Sequence, residues 1–87
     1  MNSFPSYGEY YPRSQQLIVG NRFTPNAVLV PTNIEETVVN KFHHVFYGHA
    51  EINGVKHTWS AESDKTTKRN GEYGYELHHL SIVPTKG

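Results

Sequence analysis

Residues 42–62 read FHHVFYGHAEINGVKHTWSAE, and the fold follows from how this stretch turns back on itself at Asn53-Gly54. Asn-Gly between two alternating apolar runs is the strongest local hairpin signal, because a two-residue type I′ turn requires positive φ at both central positions. The turn also sets the register. Ile52 faces Val55, and pairing continues through Ala50–His57, Gly48–Trp59 and Phe46–Ala61 on one apolar face, since side chains alternate with period two. His43, Val45, Tyr47, His49 and Glu51 share the polar face with Lys56, Thr58, Ser60 and Glu62, and Glu51 stands across from Lys56. Trp59 opposite Gly48 is a sensible pair, because the indole can lie over backbone that has no side chain of its own.

A second turn signal, Asn70-Gly71, tests this reading independently. A two-residue turn there pairs Thr67 with Gly74, Ala61 with Leu80 and Trp59 with Ile82, so two separate turns place the same apolar residues on one face. The expected core is Phe42, Phe46, Ile52, Val55, Trp59, Leu80 and Ile82. Its weak point is the polar run 63–69, SDKTTKR, which reads as readily as a loop. In that case a bulge near His78-His79 shifts the register and brings Tyr73, Tyr75 and Leu77 inward.

Upstream, Leu17-Ile18-Val19 before Gly20-Asn21 and Ala27-Val28-Leu29-Val30 before Pro31 read as two short strands that cover the apolar face. Pro31 cannot donate a ladder hydrogen bond, so the second strand ends there or lies at an edge. Thr32 and Glu35 have capping-box spacing, whereas Thr37, Val38 and Val39 are poor helix formers, which leaves 33–40 open between a short helix and a strand. Residues 1–16 hold Phe4, Tyr7, Tyr10 and Tyr11 among Pro5 and Pro12 without helical or strand periodicity. They read as a flexible or extended Tyr/Pro-rich arm before a single antiparallel β domain spanning 17–87. The expected class is mainly β, or α+β with one short helix: a small single domain on an antiparallel meander, with two short N-terminal strands as cover.

Composition narrows the function. Eighty-seven residues make one domain with a small core. Eight Lys+Arg balance eight Asp+Glu, which argues against a strongly basic nucleic-acid binder. No cysteine is present, so disulfides, zinc-thiolate sites and thiol catalysis are excluded. No apolar run has the length of a membrane span and the first residues do not read as a signal peptide, so the expectation is a soluble cytoplasmic protein with no membrane partner.

Six histidines are the one unusual chemical endowment. In the expected register His79 stands across from Glu62 with His43 diagonally near, a set that resembles a weak metal site, since imidazole and carboxylate suit zinc, copper or nickel. No HExxH motif, GxSxG elbow or glycine-rich phosphate loop occurs, so neither an enzyme nor a cofactor is expected. A nucleic-acid alternative rests on Lys65, Lys68 and Arg69 with Tyr73 and Tyr75 following: lysines to meet phosphates and tyrosines to stack on bases. Asp64, Glu62, Glu72 and Glu76 interleave with that stripe.

The leading expectation is a small non-enzymatic protein that binds another protein as an inhibitor or accessory factor, of the kind carried by phages and other mobile elements. Tyr7, Tyr10, Tyr11, Tyr47, His49, Tyr73 and Tyr75 are the expected contacts, because aromatic side chains outside a core make good interfaces. An open edge strand or the N-terminal arm would also permit a homo-oligomer.

Overall fold

The computed structural model describes residues 7–20 and 25–85, and every regular element among them is a strand. In chain order these are β1 (Gly8–Tyr11), β2 (Gln16–Gly20), β3 (Pro25–Leu29), β4 (Pro31–Asn40), β5 (His43–Ile52), β6 (Val55–Arg69) and β7 (Glu72–Pro84). All pair antiparallel in one sheet of order β3-β2-β1-β7-β6-β5-β4. The mainly-β expectation holds, without the helix. Between Pro31 and Asn40 the β-branched residues form a strand on β5, whose ladder supplies the hydrogen bonds that a helix would have made internally.

The β5–β6 hairpin has the register set by Asn53-Gly54 throughout, from Ile52–Val55 to Phe46–Ala61. Both turns have the left-handed geometry of type I′, with φ of 52° at Asn53 and Asn70 and 79–80° at the glycines that follow. In β6–β7 the pairs Trp59–Ile82 and Thr67–Gly74 form as expected, but the ladder is irregular between Ser60 and Lys65. His79, at φ 51°, is an extra residue on β7, so Glu62 pairs with His78, and the register returns at Lys65–Glu76. The expected Ala61–Leu80 pair falls within this irregular stretch. The polar run 63–69 is strand rather than loop, and the bulge still turns Leu77 fully inward and Tyr75 against the core. Tyr73 stays outside, 70% exposed.

The largest departure from the sequence reading is β1. Gly8–Tyr11, assigned to an arm, lies inside the sheet between β7 and β2. Four residues are too few to show a period, and both faces of this strand are buried, so alternation between polar and apolar residues is lost. Residues 1–6 of the proposed arm lie outside the described residues.

The curl of the sheet follows from its ends. β3 and β4 are the outermost strands, yet only Val30 separates them, so the two edges stand within about 7 Å at that point. The sheet therefore rolls into an open barrel, and β3 touches β5 across the gap. Its concave side holds Tyr10, Leu17, Val19, Phe46, Ala50, Trp59, Ala61, Leu77 and Leu80. Trp59 and Phe46 are completely buried, and Tyr10 packs edge-on against Phe46 at 5.3 Å. Of the expected core, Ile52 and Ile82 are half-buried, while Phe42 and Val55 are 67% and 50% exposed. Their parity is right but the barrel ends before them: Phe42 is in the β4–β5 turn and Val55 abuts the Asn53-Gly54 turn.

Candidate functional site

Three of the tyrosines expected at an interface are structural. Tyr10 is in the core, and on the convex side Glu9 gathers Tyr7, Tyr11 and Arg69 around one buried carboxylate. The Tyr7 and Tyr11 hydroxyls each donate to it at 2.7 Å. Arg69 forks onto it, Nε to Oε1 at 2.9 Å and Nη2 to Oε2 at 3.2 Å. Burial pushes the Glu9 carboxyl up, but the bonds from Arg69, Tyr7 and Tyr11 outweigh it and hold it below the ordinary value. Burial and then the Glu9 carboxylate drive the Tyr11 hydroxyl up to about 12. Tyr11 lies over Gly74, where an added Cβ would meet the ring at 2.5 Å. These residues clamp β1 onto the β6–β7 hairpin, and Arg69 is committed to that clamp instead of to a phosphate.

Four of the six histidines stand beside carboxylates, two of them sharing Glu62. His43 Nε2 is 3.0 Å and His79 Nδ1 3.8 Å from opposite oxygens of Glu62, so the three residues of the metal alternative do meet. Among the described residues, however, no group of three or more such side chains is arranged to hold a metal ion. His78 bonds Asp64 at 2.7 Å and His44 bonds Glu36 at 2.7 Å. The last pair has the start of an acid-base relay, since an ionised Glu36 requires the hydrogen to sit on His44 Nδ1. Ser63 stands opposite His44, but its hydroxyl donates to the Lys65 carbonyl at 3.0 Å and it is 1% exposed. It is a brace for the bulge, and the Glu36–His44 pair has no nucleophile from it.

Among the described residues two concave surfaces stand out. The first is the seam where the sheet's edges meet, a cleft of about 590 Å³ with a floor of Leu29 and Ala50 and a rim of Val28, Val30 and His49. Val28 and Val30 are 57% and 63% exposed. β3, which runs along this cleft, has a strand partner on one side only. Tyr47, exposed, stacks edge-on with His49 at 6.3 Å beside it. Asn33, at φ 52°, reaches His49 at 3.4 Å from a bulge in β4.

The second surface is the end of the barrel that carries the β4–β5 and β6–β7 turns. A cavity of about 310 Å³ opens there between Phe42 and Tyr75, with His44, Lys41 and Lys65 in its walls. Tyr75 packs on His44 and Phe46 at 5.1 and 4.9 Å. Burial and then the Glu36 carboxylate raise the Tyr75 hydroxyl above its ordinary value. Lys41 lies 5.6 Å over the Phe42 ring and Lys68 5.0 Å over Tyr73.

Sequence reasoning placed Tyr47, His49, Tyr73, Lys65 and Lys68 on accessible surface and missed Val28, Val30, Lys41 and Phe42. Pro31 and the position of Phe42 beside a turn were the available signals. Among the described residues no helix is long and apolar enough to cross a membrane. Compared with family models, characterised proteins and solved structures, the chain matches none.

Proposed function

We propose that this is a non-enzymatic binding protein, an inhibitor or accessory factor, that takes an extended segment of another protein along the seam between β3 and β5. The observation that supports this reading is the open backbone edge of β3 beside an apolar cleft flanked by the exposed Val28 and Val30. In strand addition the main chain supplies affinity while alternate side chains enter pockets and supply selectivity. The cleft volume lies within the range of roughly 300–1,000 Å³ typical of ligand sites. Tyr47 and His49 extend the contact with an aromatic surface that has few rotamers to lose.

The test is affinity capture with the wild-type protein and a Val28→Glu, Val30→Glu double variant. Both valines are largely exposed, so the variant keeps its thermal melt. A partner recovered by the first and lost by the second supports the seam. Equal recovery by both, or none by the wild type, removes it. If the species recovered is the same chain, detected as a concentration-dependent dimer in sedimentation, the edge serves self-association.

A further inference from the structure

We infer that the turn end of the barrel is a second binding site, for single-stranded nucleic acid. It lies at the far end of β5 from the seam: Phe42 precedes that ten-residue strand and Glu51, on the seam, is near its close, roughly 25–30 Å away at about 3.3 Å per residue.

Two aromatic rings line the cavity and a third stands farther along β7. Phe42 and Tyr75 both line the cavity, and Tyr73, outside its lining, precedes Tyr75 by two residues on the same face of β7. Phe42 and Tyr73 are 67% and 70% exposed, each with a lysine ammonium over the ring. Rings exposed in this way present faces on which a base can stack irrespective of its identity.

Charge points the same way. Among the described residues Lys41, Lys65 and Lys68 form no ion pair within 4 Å; of the carboxylates nearby, Asp64 is bonded to His78, Glu36 to His44 and Glu72 to the backbone N–H of Ser14 at 2.9 Å, while Glu76 stands across the ladder from Lys65. Three lysines beside three aromatic rings are the elements of a single-strand site, in which phosphates follow the cations and bases take the ring faces. Arg69, bound to Glu9, is not part of it. Because the whole chain is neutral, binding is moderate and limited to a few nucleotides.

The experiment is fluorescence anisotropy of a labelled 15-nucleotide oligo-dT with the full chain. Three phosphate contacts give a slope of about −2 in log K against log salt, or roughly 15-fold weaker binding between 50 and 200 mM. Phe42→Ala and Tyr73→Ala each weaken binding about tenfold, and Phe42→Trp and Tyr73→Trp retain it. Melts of all four variants match wild type, because neither ring is in the core. Val28→Glu with Val30→Glu leaves oligonucleotide binding unchanged, so the seam and this site fail or stand separately. The proposal is overturned by absence of binding at 50 mM salt, by indifference to both alanine variants, or by equal competition from poly-glutamate. The last outcome would make this end a receptor for an acidic polypeptide.

Discussion

Arg69 closes on Glu9 through a bidentate ion pair between residues sixty positions apart, and the carboxylate it holds is 2% exposed. Removing Arg69 leaves the buried Glu9 carboxylate without its counter-charge, held by the Tyr7 and Tyr11 hydroxyls, which is more costly than losing a surface pair. Arg69→Ala is expected to cost about 3 kcal/mol, the lower end of the range for buried pairs, because the guanidinium keeps some contact with water. Urea denaturation checks this; a loss below ~1 kcal/mol would show the clamp to be incidental.

The same pair gives the fold an acid limb. The folded-state pKa of Glu9 is depressed, so its contribution is present above the ordinary carboxyl value, about pH 4, and is lost as pH falls through the lower folded value. Tyr11 acts in the opposite sense. With its hydroxyl raised to about 12, its contribution is complete below the ordinary tyrosine value near pH 10 and disappears as pH rises through the folded value. Melting temperature should fall at both extremes, and Glu9→Gln should flatten the acid limb while Tyr11→Phe flattens the alkaline one.

Glu76 stands directly across from Glu9 on β7, and its Oε1 is buried with no hydrogen-bond partner. Like charges facing each other across a ladder are destabilising. Glu76→Gln is therefore expected to stabilise by about 0.5–1 kcal/mol, which thermal melts at pH 7 detect. A destabilised variant would mean that Lys65, paired with Glu76 on the other side, dominates its energetics.

Trp59 is completely buried over Gly48 and donates its indole N–H to the His49 carbonyl at 3.2 Å. Trp59→Ala should cost about 3–5 kcal/mol and unfold much of a domain whose total stability is about 5–15 kcal/mol. Gly48→Ala probes the same contact from below, since its Cβ would lie 2.8 Å from Ile34 and 3.1 Å from the Thr32 carbonyl and the indole nitrogen. It should cost about 1–3 kcal/mol. Cooperative melts like wild type for both would refute the core assignment.

Phe42 supplies the contrast. Its 67% exposure predicts that Phe42→Ala shifts stability by no more than about 0.5 kcal/mol in the same denaturation assay. A loss comparable to that of Trp59→Ala would return Phe42 to the core.

Much of the fold was legible locally. Two Asn-Gly turns determine the pairing of β5 with β6 and most of β6 with β7, because a two-residue turn admits one register and that register buries Trp59. Pro31 marks a strand boundary for a reason internal to proline. The bulge at His79 was visible as an alternative, since only an extra residue there turns Leu77 inward.

The rest depended on contacts between distant residues. β1 is a strand because Arg69, Tyr7 and Tyr11 neutralise and cover Glu9 and because Gly74 leaves room for the Tyr11 ring, none of which a four-residue window contains. Phe42 and Val55 have the parity of core residues, but where a barrel ends is set by the curl of the whole sheet. That curl follows from β3 and β4 being both its two edges and neighbours in the chain. The two concave surfaces exist for the same reason: local turns determine which residues pair, whereas closing the sheet decides which faces remain open.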